Sequence, residues 1–202
     1  MSISDGYTDV PDCKVASIVT SLQMFKRPQP RGGHAEATWA LKKVDSIDPD
    51  SYRTLFRRVG EDWLWFSRLE LSDDELRRVL AEPARELYVF KEGQERGDAG
   101  LLELDFGTEG QCELAFFGLM PHMIGLGAGR WLMNRALDIA WSRPIRRLWV
   151  HTCTFDHPGA LDFYIRTGFV PFHRQIEVAD DPRITGVLPE SAAPHVPLLK
   201  SG

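Results

Sequence analysis

The segment that most constrains this chain runs from Gly118 to Arg130, Gly-Leu-Met-Pro-His-Met-Ile-Gly-Leu-Gly-Ala-Gly-Arg. An apolar strand ends, a short turn follows, and a helix opens on glycines at 125, 127 and 129. Glycine lets the backbone turn left-handed and lets a ligand approach it closely. A helix start adds free N–H groups and the positive end of a dipole, a combination suited to pyrophosphate. The surrounding fold must therefore bring a strand end and a helix start to one open edge.

Two common phosphate loops do not fit. A P-loop ends in Gly-Lys-Ser/Thr, whereas Gly129 is followed by Arg130 and Trp131. A dinucleotide fingerprint needs G-x-G-x-x-G, but Arg130 or Leu132 stands where its last glycine belongs. A glycine-rich helix start with no ligand is the plain alternative.

The flanking pattern gives the architecture. Val15 to Phe25 reads as a strand, followed by a Pro/Gly/Arg loop through Gly33, and Ala37 to Val44 as a second strand. Asp48-Pro49 caps a helix that stops near Gly60, and Ser72-Asp-Asp-Glu75 has the form of a capping box. Strands are expected over Glu86–Lys91, Ala99–Phe106 and Gln111–Leu119, then a helix over Gly127–Trp141. A strand Arg147–Thr152, a helix Pro158–Thr167 ended by Gly168, and a strand Phe169–Val178 complete the pattern. This is neither a βαβ alternation nor an all-β pattern, so a mixed α/β (α+β) sheet covered by helices is expected.

A chain of 202 residues suits one domain core, and 43% apolar with 26% charged residues is a globular balance. The net charge of −5 argues against a nucleic-acid partner, and the Arg143, Arg146, Arg147 cluster reads as solvated surface. Three cysteines without pairing suit a reducing compartment, and no signal peptide is visible. The longest apolar run, Leu114 to Met120, is too short for a membrane span. A cytoplasmic location with no membrane partner is the expectation.

Two motifs together carry a family resemblance. Ile124 to Gly129 resembles the [Q/R]-x-x-G-x-[G/A] loop of the GNAT superfamily of acetyl-CoA-dependent N-acetyltransferases, with Ile124 in place of Gln or Arg. Downstream, His157 to Phe169 resembles that superfamily's N-x-x-A-x-x-x-Y-x-x-x-G-F, with Ala160, Tyr164, Gly168 and Phe169 in register and His157 for Asn. The pair stands in the family's order and spacing, and the resemblance covers residues 37–178, leaving 1–36 as an N-terminal extension with an extra strand and 179–202 as an arm.

The resemblance implies a central, mostly antiparallel sheet with helices on both faces, and acetyl-CoA as cosubstrate. It also implies that the strand ending at Leu119 splays from its neighbour, so that pantetheine lies along backbone groups near Leu119 and Met120 as a pseudo-strand. Ile124, Gly125, Leu126, Gly127, Ala128 and Gly129 would hold the diphosphate, with His157 and Ala160 beside the cofactor. Tyr164 takes the place of the family's proton donor to the leaving thiolate.

An alkylammonium must lose a proton before it attacks, so a base is needed. Glu113 lies eleven residues before Ile124, the spacing of the catalytic glutamate in the histone acetyltransferase branch. Such a glutamate needs a raised pKa or a water relay, and Glu103, if directly across the hairpin from Glu113, would supply like-charge repulsion. The plain reading is that both glutamates mark a solvated sheet face. His151 is an alternative base.

For the acceptor, Tyr52, Arg53, Trp63 and Trp65 fall in the two-helix region that overhangs the cleft in GNAT folds; Trp63, Trp65 and Phe66 otherwise read as core. His151-x-Cys153 and His157 lack further ligands at metal-binding spacing, so no metal is expected. Transfer to a primary amine in a ternary complex is the resulting expectation. A catalytically inactive acyl-CoA-binding module, a longer-chain or hydroxyl-directed acyltransferase, and a structural protein dimerising through the N-terminal strand are its rivals.

Overall fold

The computed structural model describes residues 5–30, 32, 38–93 and 97–200. The first two helices open on side-chain caps. α1 (Pro49–Gly60) opens with the Asp48 carboxylate accepting the Ser51 N–H. α2 (Asp73–Leu80) opens on a complete capping box between Ser72 and Glu75. α3 (Ala128–Trp141) and α4 (Ala160–Thr167) follow, the latter ending at Gly168 with φ +112°. The sequence does not announce the 3-10 turn Glu61–Trp63, which leaves Leu64 in a left-handed conformation at φ +52°.

Seven strands, β1 (Lys14–Met24), β2 (Ala40–Val44), β3 (Arg85–Lys91), β4 (Asp98–Asp105), β5 (Gln111–Leu119), β6 (Arg147–Cys153) and β7 (Val170–Asp180), form one sheet in the order β2-β3-β4-β5-β6-β1-β7. Only β5 and β6 run parallel. The mixed, mostly antiparallel sheet expected from the sequence is therefore observed. Of the expected second strand, Ala40–Val44 is strand and position 37 lies outside the described residues.

The N-terminal strand is not appended to the sheet. β1 sits inside it, antiparallel to β6 on one side and to β7 on the other, and its Leu22 and Met24 share the main core with α3.

Alternation along the strands sends side chains to opposite faces. On one face, Leu102, Leu104, Leu114, Leu148 and Val150 pack beneath α3 and α4. On the other, Leu87, Val89 and Leu101 pack beneath α1 and α2 with Tyr52 and Phe56. The C-terminal arm folds back on this second face, where Leu188, Ala192 and Ala193 meet Val15 and Leu64. It is pinned by Arg183, almost wholly buried, whose guanidinium binds both oxygens of Asp181 and the carbonyls of Val196 and Pro197.

Candidate active site

The cleft begins where a ladder stops. β5 stays paired with β4 as far as Leu119, but it pairs with β6 only from Gln111 to Glu113, against Arg147 to Trp149. β6 continues along β1 to Cys153, so the two strands part beyond Glu113. A bulge sharpens the divergence: Leu104 faces Leu114 and Glu103 faces Phe116, leaving Ala115 as an extra residue. A cavity of about 660 Å³ opens in this gap.

Backbone direction decides which groups face the gap. The Met120 N–H donates to the Ala99 carbonyl and its own carbonyl accepts from Met123, while its side chain is buried beside α1. Met120 is thus committed elsewhere, which corrects the expectation that it flanks pantetheine. Successive residues of a strand point their peptide groups to opposite sides, so those of Leu119 point into the cleft. Leu119 lines the cavity.

The glycine turn closes one end. Gly125 and Gly127 both have φ +87°, and Gly127 is the residue before the first turn of α3. The first amides of α3 have no partner within the helix. Ile124, Gly125, Gly127 and Gly129 line the cavity. Ala128 is fully buried in the core and Leu126 is exposed, so neither side chain belongs to the cavity wall. Arg130 and Arg166 add positive charge to this wall. A diphosphate fits it: open glycine backbone, a helix start and two guanidinium groups.

α4 brings Tyr164 into the gap, where its ring packs against Phe117, Phe163 and Phe169. Burial, reinforced by the Asp156 charge, pushes its hydroxyl pKa well up, so it stays a proton-bearing donor at neutral pH. Ala160 and His157 line the cavity, and His157 Nδ1 accepts the Gly159 N–H at 3.0 Å.

On the α1/α2 face, the half-exposed His151 enters the cavity from β6 with its Nδ1 3.4 Å from Glu113 Oε1. The Glu113 contact raises the His151 pKa above 6.5 against the opposing effect of burial, and Asp156 and Glu177 push the same way. Glu113 does not line the cavity; it stands behind His151 at the vertex of the cleft.

Three sequence expectations are corrected here. Glu103 is not across from Glu113: the register puts Asp105 there, and Glu103 faces Phe116. Glu103 is fully buried and accepts hydrogen bonds from Tyr52, Arg68 and Arg85 at 2.8–2.9 Å, outside the cavity. Tyr52 is buried and spent on that glutamate. Arg53 ties α1 to α2 through Asp73 and the Leu71 carbonyl, so it too is outside the cavity.

Trp63 and Trp65 do line the cavity. The Trp65 ring can lie on β5 because position 118 is glycine; a β-carbon there would come within 2.8 Å of the ring and 2.4 Å of Val59. Trp65 Nε1 donates to Asp156, whose other oxygen accepts from Thr152 and the Cys153 N–H. Asp156 and Glu177 were not anticipated as wall residues. Asp156 has a weak signal, an Asp-His-Pro turn after a strand; Glu177 has none, being one polar residue of an alternating strand.

The family model "Acetyltransferase (GNAT) family" matches residues 50–169, from α1 through α4. The chain belongs to the GNAT acetyltransferase family. Among solved structures, a GCN5-related N-acetyltransferase from Sphaerobacter thermophilus is similar at 13% identity and TM-score 0.62, over 82% of this chain and 52% of that one. A tandem GNAT protein from the clavulanic acid biosynthesis pathway is similar at 18% identity and TM-score 0.54, over 86% and 55%. Spermidine/spermine N-acetyltransferase SpeG from Vibrio cholerae is similar at 20% identity and TM-score 0.51, over 74% and 96%. At these identities the likenesses show the GNAT fold alone. The chain spans little more than half the length of the first two proteins. No curated protein matches the sequence. Among the described residues, no helix of this GNAT chain is long and apolar enough to cross a membrane.

Proposed function

We propose that the protein is an N-acetyltransferase that moves an acetyl group from acetyl-CoA to a primary amine by direct transfer in a ternary complex. The observation that carries this reading is the parting of β5 and β6 past Glu113. It opens one cavity with the glycine turn on one wall, and Tyr164 and His151 inside. Acetyl-CoA fits with its diphosphate at the start of α3 and its pantetheine beside the Leu119 peptide groups.

His151 is the base of this scheme and Glu113 its positioning residue. Neutral His151 takes a proton from the ammonium, and the freed nitrogen lone pair forms a bond to the acetyl carbonyl carbon. As the carbon–sulfur bond breaks, Tyr164 gives its proton to the departing thiolate. One of the two protons still on nitrogen leaves to solvent, the amide keeps the other, His151 releases its proton to solvent, and the tyrosinate regains one from water. Cys153, although in the cavity wall, is a poor covalent carrier: burial, with the Asp156 charge, raises its pKa to about 11, so it holds its proton at neutral pH. This supports transfer without an acetyl-cysteine.

Isothermal titration with acetyl-CoA tests the reading, repeated with Gly127→Glu. The expected result is micromolar binding that the substitution abolishes, followed by acetylation of at least one member of an amine panel. A folded wild-type protein that does not bind acetyl-CoA overturns it. Binding without transfer to any amine would leave the inactive acyl-CoA-binding module as the surviving reading.

A further inference from the structure

The gap between β5 and β6 passes through the sheet, and its two sides carry opposite charge. On the α3/α4 side the lining cations are Arg130 and Arg166. On the α1/α2 side the lining carboxylates are Asp156, hydrogen-bonded to Trp65, and Glu177 on β7. Alternation confirms the side for Glu177: it pairs with Ser17, two residues from Val15, which packs on Leu64 beneath the C-terminal arm.

Asp156 is saturated by Trp65, Thr152 and the Cys153 amide, so it is held rigidly. Glu177 differs. Its described contact is a long 3.5 Å one from Ser17 Oγ, and it is solvent-exposed at the cavity mouth. Around this mouth stand the rings of Trp63, Trp65, Phe66, Phe116 and Phe155. Aromatic faces attract cations and cover apolar surface, but they offer a carboxylate nothing.

We infer that the acceptor is a cationic amine with an apolar or aromatic body and no carboxylate near its nitrogen, and that Glu177 at the α1/α2 mouth selects it. This deepens the acetyltransferase reading and rests on it for the identity of the transferred group. The recognition is made of three parts: the ammonium is drawn by Glu177 and Asp156, its body lies against the indoles, and a carboxylate meets like charge with no guanidinium among the described residues of the wall on that side. The lining arginines are on the opposite face, where the diphosphate belongs.

A matched pair tests it: phenethylamine and phenylalanine, the same ring and ammonium without and with a carboxylate. Steady-state kinetics with saturating acetyl-CoA should give phenethylamine at least a tenfold higher kcat/KM, falling as salt rises. Glu177→Gln should shrink that ratio several-fold, mainly through the KM of phenethylamine, while acetyl-CoA affinity stays unchanged and Glu177→Asp restores most of the preference. Titration of both compounds into the protein saturated with CoA reads the same selectivity without turnover. If the amine binds selectively but is not acetylated, the transfer reading falls and this inference stands. Equal use of the two compounds, preference for phenylalanine, binding of neither, or a ratio unmoved by Glu177→Gln overturns it.

Discussion

Glu103 and Glu113 lie on adjacent strands and on the same face of the sheet, two register positions apart, yet they have opposite fates. Glu103 has no exposed surface, and its two oxygens accept from one phenol and two guanidinium groups. Glu113 keeps partial exposure and one described partner, an imidazole that itself reaches the cavity. The first carboxylate is saturated and can only hold structure. The second transmits its charge to a neighbour that can exchange protons. What separates scaffold from chemistry here is whether the bonding capacity of a group is already filled, more than residue type or face.

The largest effect should come from emptying the saturated site. Glu103→Ala leaves Arg68 and Arg85 buried without their counter-charge, and chemical denaturation should show a loss of about 3–5 kcal/mol. A loss below 1 kcal/mol would mean that the carboxylate is dispensable to the scaffold.

The same contrast divides two tyrosines. Tyr164→Phe should lower kcat about a hundredfold, within the usual range for a proton donor, with stability nearly unchanged. Tyr52→Phe, which takes a donor from the Glu103 carboxylate, should cost about 2 kcal/mol of stability with kcat nearly unchanged. Exchanged phenotypes, seen by kinetics and denaturation together, would reverse the roles assigned to the two phenols.

The smallest effect sharpens the comparison most. In the proposed scheme neutral His151 is the base, and Glu113 raises its pKa, so kcat/KM should climb as pH rises through a value above 6.5. Glu113→Gln removes that influence. The acid limb should move to lower pH, while the plateau falls about tenfold from lost orientation. Stability runs the opposite way to activity: the contact contributes fully below pH 6.5 and fades as pH rises past the raised pKa. A limb that does not move would separate Glu113 from the proton transfer.

The chain's local chemistry was readable in advance, and its registers were not. The capping box at Ser72, the cap at Asp48 and the left-handed Gly168 each depend on a few neighbouring residues, and each appears where the sequence puts it. The glycine turn is likewise local. The pairing of Glu103 depends instead on the bulge at Ala115, a property of two strands bending apart that leaves no mark in either. Tyr52 and Arg53 fall in the expected helix, but their helical faces turn them onto Glu103 and onto α2 rather than into the cleft. The place of β1 between β6 and β7 is a fact about distant partners, so proximity in sequence could suggest only an appendage.

That interior strand has a consequence for how the molecule is made. β1 leaves the ribosome before either of its partners, β6 from Arg147 and β7 to Asp180, which follow more than a hundred residues later. Until then an 11-residue strand bearing Leu22 and Met24 waits with both edges unpaired. Closing loops of well over a hundred residues is entropically slow, and unpaired strands are exposed to aggregation while it happens. The half of the cleft that β6 forms with β1 behind it can thus be assembled only after β6 and β7 have been made, so a nascent chain has no working site until Asp180 has emerged.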